Sequence, residues 1–235
     1  GGTMMINMTQ SDIVQDAPMI AVQEGLTFNI DCLDTNSYPG TGTVWTSTVD
    51  ATNIGTLTGD NIGLVGGHMH FGGSDDYVEI VTTSNSITSD PFTIEVWFKE
   101  SPPGGHRAIF ANSTAGGGGF YCKEQATNIY AYGTSSGNAY KGGYVSLGAW
   151  HQMVITIDGS TINFWKNGVN FGTDGTPNGL PAYVFSSTDP FFLGNNSSLG
   201  DDFEGDIDIV RMYDRVLTTA EIEHNFEAYR GRFGL

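Results

Sequence analysis

The 235 residues hold 33 glycines, 12% aromatics and only 15% charged side chains, a mixture too apolar for a disordered chain and too glycine-rich for a helical one. Nine Lys and Arg stand against 26 Asp and Glu, a formal charge of −17. Binding phosphates takes clustered Lys and Arg, so this balance argues against nucleic acid and against an anionic membrane surface, and no run reaches the ~20 consecutive apolar residues of a membrane span.

A β protein of short strands and many turns is the expectation. Residues 1–17 are polar, Met-rich and aperiodic, and read as an N-terminal arm or extension. Residues 18–235 show no internal repeat and no linker-like break, and read as one domain. Residues 26–33 alternate as a strand, and a turn-rich loop from Asp34 lands on Trp45. Strands are expected again over 63–71 and 76–81. The clearest is 92–99, with Phe92, Ile94, Val96 and Phe98 on one face and Thr93, Glu95, Trp97 and Lys99 on the other. Trp97 on that polar face requires a second cover or a ligand.

Further strands fall at 107–111, 120–122, 150–157, 161–166 and 191–195, with Asp158-Gly159-Ser160 and Asn167-Gly168 as tight turns. Cys32 and Cys122 each lie in an apolar run and read as buried thiols. Phe203 opens a strand with interleaved carboxylates. Behind it, Thr218-Thr219-Ala220-Glu221 fits a capping box, flanked by Leu217 and Ile222 at the two staple positions. Ile222, Phe226 and Tyr229 recur at helical spacing, and Gly231 is the expected stop.

Taken together, these pieces resemble the laminin-G-like, concanavalin-A-like jelly roll. The resemblance rests on His70-Phe71-Gly72-Gly73-Ser74-Asp75-Asp76-Tyr77-Val78, Phe92 to Phe98, Trp150-His151-Gln152-Met153-Val154, Asn163-Phe164-Trp165-Lys166-Asn167-Gly168, Phe192-Leu193-Gly194-Asn195 and Phe203 to Thr218. It implies an all-β antiparallel sandwich of two curved sheets with one short C-terminal helix. Asp34 to Trp45 and Asn225 to Leu235 further resemble the version of this domain in tailed-phage structural proteins. That likeness implies a non-enzymatic virion protein of head or tail, exposed on the particle. Its partners would be other virion proteins or further copies of itself, with a role in adsorbing to cell-surface glycans. A secreted or soluble bacterial carbohydrate-binding module is the alternative reading, and a glycoside hydrolase ranks last.

Several residues could carry chemistry. Glu204, Asp206 and Asp208 alternate onto one strand face, as a two-carboxylate glycosidase requires. Gly205 between them and the short Asp at the third position oppose catalysis, so no catalytic residue is assigned. His68 and His70 share a strand face, but with no carboxylate or Cys close by in sequence they make a poor zinc set. Calcium is the preferred cofactor, since hard cations take loop oxygens; Asp75, Asp76, Asp201, Asp202 and Asp206 are the candidate ligands. Sugars are held by aromatic faces and amide or carboxylate hydrogen bonds, for which Trp97, Tyr130, Tyr132, Asn138, Tyr140 and Tyr144 are the candidates, with Asn128 beside them.

Overall fold

The structure is a computed structural model that describes residues 19–81, 91–102, 107–112, 120–125, 128–133, 138–158, 161–175, 190–195 and 200–235; within these, the side chains of 120–144, 162 and 171–175 are not described. The arm expected over 1–17 lies outside the described residues.

In chain order the first strands are β1 (Leu26–Asp31), β2 (Val44–Thr46), β3 (Ile54–Thr58), β4 (Gly63–Val65), β5 (His68–Gly72) and β6 (Tyr77–Val81). Next come β7 (Phe92–Glu100), β8 (Arg107–Asn112), β9 (Phe120–Gln125), β10 (Asn128–Gly133) and β11 (Asn138–Tyr144). The last are β12 (His151–Asp158), β13 (Thr161–Lys166), β14 (Val169–Gly175), β15 (Phe191–Leu193) and β16 (Glu204–Tyr213), followed by the helix α1 (Thr219–Tyr229).

One sheet runs β14-β13-β12-β7-β16-β5-β4, with β1 joined to β16; the other runs β11-β10-β9-β8-β15-β6-β3-β2. The pairings are antiparallel, and the two sheets enclose one apolar core. The alternation in β7 decides which residues enter it. Phe92, Ile94, Val96 and Phe98 join Phe28, Ile30, Phe71, Ile80 and Phe110 in the core, while Thr93, Glu95 and Trp97 face outward, yet are buried all the same.

What buries them is the C-terminal helix. Thr218 caps it: its hydroxyl accepts from the Glu221 amide, and the Glu221 carboxylate accepts from the Thr218 amide at 2.8 Å. Leu217 and Ile222 pack in one cluster with Val154, Trp165 and Tyr213, as the staple requires. The stop differs from expectation. The chain does not end its helix at Gly231 but tightens into a 3₁₀ turn over Arg230–Phe233, closed by Gly234 at φ 70°. That extra turn carries Phe233 onto the sheet.

Asn167 and Gly168 both have positive φ, 52° and 77°, the geometry of a two-residue hairpin turn, here joining β13 to β14. A bulge at Asp208 interrupts the β16–β7 ladder between Ile207 and Ile209, and the Asp208 carbonyl instead accepts from the Cys32 amide at 3.0 Å.

Candidate functional site

Trp97 cannot hold a sugar. Its side chain is fully buried, stacked with Phe233 at 4.4 Å and with Phe226 at 6.0 Å between ring centres. Its Nε1 donates to Glu95 Oε1 at 2.8 Å. The second cover that its place on the polar face demanded is the C-terminal helix and the turn after it, which leave no ring face for a ligand.

Tyr130, Tyr132, Asn138, Tyr140 and Tyr144 lie in β10 and β11, whose side chains are outside the described residues, as is that of Asn128. The backbone register still separates them. Ala131 pairs with Tyr140 and Gly133 with Asn138, whereas Tyr144 pairs with Asn128. Tyr130 and Tyr132 therefore share strand parity with Asn128 and Tyr144, and Asn138 and Tyr140 take the other parity.

The three carboxylates at the start of β16 each meet a basic partner. Glu204 lies 3.3 Å from Arg107 Nη2. Asp206 accepts from Lys99 Nζ at 2.7 Å and pairs with His70 Nδ1 at 2.9 Å. Asp208 pairs with His68 Nδ1 at 2.7 Å and Arg232 Nη2 at 3.3 Å, and accepts from the Met69 amide at 2.9 Å. The half-buried Trp150 roofs this patch, with its ring 4.8 Å from His68 and 4.6 Å from Phe233, and Lys99 Nζ 5.3 Å from its centre. The expectation that His68 and His70 lack carboxylates is corrected here. The carboxylates come from β16, about 140 residues along the chain, and sequence proximity gave no sign of them.

Of the five calcium candidates, Asp75 and Asp202 meet through an amide-to-carboxylate hydrogen bond. Asp206 is engaged by Lys99 and His70. Asp76 is fully buried, and its two oxygens accept from the Asn61 amide at 3.1 Å and the Gly72 amide at 2.8 Å, so it ties two loops together. Asp202 accepts from Asn195 Nδ2 at 2.6 Å and from the Asp75 amide at 3.4 Å, and the Asp201 carbonyl accepts from the Ala108 amide at 2.8 Å. Among the described residues, no group of three or more His, Cys, Asp or Glu is placed to hold a metal ion.

Asp75 and Asp76 do mark a place of another kind. The β3–β4 and β5–β6 loops form the walls of a groove of about 670 Å³, lined by Thr58, Asp60, Asn61, Ser74, Asp75 and Tyr77 together with glycine backbone. Asp76 sets the spacing of its walls. Gly59, at φ 122°, lies so close that a Cβ there would come 2.0 Å from Asp76 Oδ1. Ser74 and Asp75 are consecutive non-glycine residues with positive φ, 42° and 73°, a conformation that costs energy and concentrates at functional sites. Tyr77 stands half-buried at one side, its ring 5.9 Å from Phe192. The groove offers carboxylate, amide and hydroxyl groups and one aromatic edge. The sequence offers Asp75 and Asp76 as cation ligands but gives no sign that Asp60, Asn61 and Tyr77 join them, because only the turn geometry brings the two loops together.

Solved structures share this architecture. Domain 4 of AbnA, a GH43 extracellular arabinanase from Geobacillus stearothermophilus solved with arabinotriose, is 19% identical with a TM-score of 0.66, over 84% of this chain and 96% of that one. Trypanosoma rangeli sialidase in complex with the inhibitor DANA is 16% identical with a TM-score of 0.64, over 88% of this chain and 33% of that one. Botulinum neurotoxin type C, whose cell entry depends on interaction with two ganglioside molecules, is 11% identical with a TM-score of 0.66, over 87% of this chain and 51% of that one. The present chain thus spans a third of the sialidase and half of the toxin chain, and what it shares with them at these identities is the fold. No curated protein sequence matches it. Residues 71–223, well over half of the chain, match the laminin G type model of the concanavalin A-like lectin/glucanases, and with the sandwich just described this places the chain in the concanavalin A-like lectin/glucanases superfamily.

Proposed function

We propose that this protein is a non-enzymatic saccharide-binding module, that its ligand lies in the groove between the β3–β4 and β5–β6 loops, and that it is carried on the surface of a tailed-phage particle. The groove is the observation that carries the binding role. Its volume of about 670 Å³ lies in the range of small-ligand sites, and its mixture of acceptors, amide and one aromatic edge suits sugar hydroxyls and the apolar faces between them. Of the structures that share this fold, the arabinanase domain was solved with arabinotriose and the toxin depends on two gangliosides for cell entry. The non-enzymatic reading draws support from Glu204, Asp206 and Asp208, each already committed to Arg107, Lys99 or Arg232. The virion reading rests on the phage-like segments 34–45 and 225–235.

A glycan array, seeded with arabino-oligosaccharides and sialylated gangliosides, tests the binding role. We expect saturable binding that is lost in Tyr77→Ala and Asp75→Ala while the fold survives. Binding unchanged in both variants would sink the groove assignment, and β-glucan hydrolysis lost in Asp206→Asn would overturn the non-enzymatic reading. Copurification with particles at fixed stoichiometry checks the virion role. Absence from particles would leave a free bacterial module.

A further inference from the structure

His68 and His70 occupy alternate positions of β5 and project from the same face of the sheet. Their Nδ1 atoms are 2.7 Å from Asp208 Oδ2 and 2.9 Å from Asp206 Oδ1. An ionised carboxylate only accepts hydrogen bonds. In the neutral rings the proton therefore sits on Nδ1 of both histidines, and Nε2 of both carries the lone pair. A carboxylate behind Nδ1 that fixes tautomer and ring orientation, with Nε2 left as donor, is the arrangement that stands behind metal-ligating imidazoles.

The support is itself rigid. Asp208 is fully buried and is held by the Met69 amide and Arg232, and Asp206 is held by Lys99. The side chains of His68 and His70 are 28% and 33% exposed, so solvent reaches both. Gly63, the register partner of His70 on β4, brings no side chain, and nothing lies within 4 Å of where its Cβ would be. The two cations nearby, Lys99 and Arg232, are outnumbered by Asp31, Asp206 and Asp208, to which they are bonded. A further positive ion is therefore not opposed by the net charge of the patch.

We propose that Nε2 of His68 and Nε2 of His70 bind one transition-metal ion of the Zn²⁺, Ni²⁺ or Cu²⁺ class, with water completing its coordination. Imidazole nitrogen selects these ions over calcium or magnesium. With two protein ligands, fewer than the three or four of resident zinc sites, the ion is exchangeable. This site is separate from the groove between the β3–β4 and β5–β6 loops, and a failure of either leaves the other standing.

The test is calorimetric titration of the untagged full chain with ZnCl₂ and CuCl₂ at near-neutral pH, together with electron paramagnetic resonance of the Cu²⁺ form. The expected result is one ion per chain and a nitrogen hyperfine pattern from two imidazoles. Binding is lost in His68→Ala and in His70→Ala, is weakened about tenfold in Asp206→Asn through loss of the support behind His70, and is unchanged in His224→Ala. Absence of saturable binding, or binding retained in the double His68→Ala/His70→Ala variant, overturns the proposal. Should a histidine variant fail to fold, the Cu²⁺ spectrum of the unaltered protein decides alone, and a pattern from fewer than two imidazole nitrogens refutes the site.

Discussion

Glu95 and Arg211 form an ion pair at 3.1 Å in which the side chains are 0% and 2% exposed. Burying two charges is costly unless further hydrogen bonds satisfy them, and here both oxygens of the Glu95 carboxylate are engaged. Glu95 Oε1 also accepts from Trp97 Nε1 and Gln152 Nε2, and Oε2 accepts from Asn225 Nδ2 at 2.8 Å. Arg211 donates through Nε to Asn29 at 3.0 Å and lays its guanidinium 4.1 Å from the centre of the Tyr229 ring. Strands β7, β12 and β16 and the helix thus meet at one carboxylate, and β1 joins them through Arg211.

Replacing Glu95 by Ala leaves Arg211 charged and unpaired beneath the helix. The expected loss is about 3–5 kcal/mol of stability, read from urea unfolding. A loss below about 1 kcal/mol would show that the network is dispensable.

Trp97→Ala is expected to cost about 3–5 kcal/mol, because it opens a cavity between the sheet and Phe233. Saccharide affinity, measured per folded molecule well below the melting temperature, should not change. Affinity lost while the fold persists would restore Trp97 as a contact residue.

His151 supplies a pH dependence. Burial holds it below the ordinary imidazole value of 6.5, its Nε2 lies 3.0 Å from the Ser146 carbonyl and 3.1 Å from the Ser146 amide, and its Nδ1 has no partner among the described residues. The unfolded chain therefore binds this proton more readily than the folded one. The stability that rests on neutral His151 is complete above pH 6.5 and is lost as pH falls below it, toward the depressed folded value. Melting temperatures of His151→Phe and the unaltered protein, compared across this window, should show the flatter profile in the variant.

Glu221 titrates in a lower window. Hydrogen bonds from Arg215, with those from Thr218, hold its carboxyl at about 2 against an ordinary 4.5. Its stabilising effect is therefore present above pH 4.5 and disappears as pH falls toward 2. Thr218→Ala, which removes the other half of the capping box, should cost about 1 kcal/mol. Urea midpoints of Thr218→Ala and Glu221→Gln check both statements, and equal acid sensitivity in Glu221→Gln and the unaltered chain would contradict the second.

Local pattern made much of this fold legible. The alternation of residues 92–99 placed Phe92, Ile94, Val96 and Phe98 in the core, and the Thr218 to Glu221 spacing announced the helix start to the residue. It also showed that Trp97 needed a cover. What covers it was not readable, because Phe226 and Phe233 reach it across about 130 residues and no periodicity links them. The same holds for Asp206 and Asp208, whose partners His70 and His68 lie on another strand. Gly231 had the right residue type for a stop but the wrong place, since the pull of Phe233 toward Trp97 carries the chain three residues further, to Gly234.

The pairing of β1 with β16 also bears on how the chain folds. Among the described strands β1 is bonded to β16 alone, with Phe28 opposite Met212 and Ile30 opposite Val210. Sequence separations of this size make folding slow, because loop-closure entropy must be overcome before such contacts give any return. During synthesis β1 emerges before β16 and waits, with that edge unpaired, until β16 has been made.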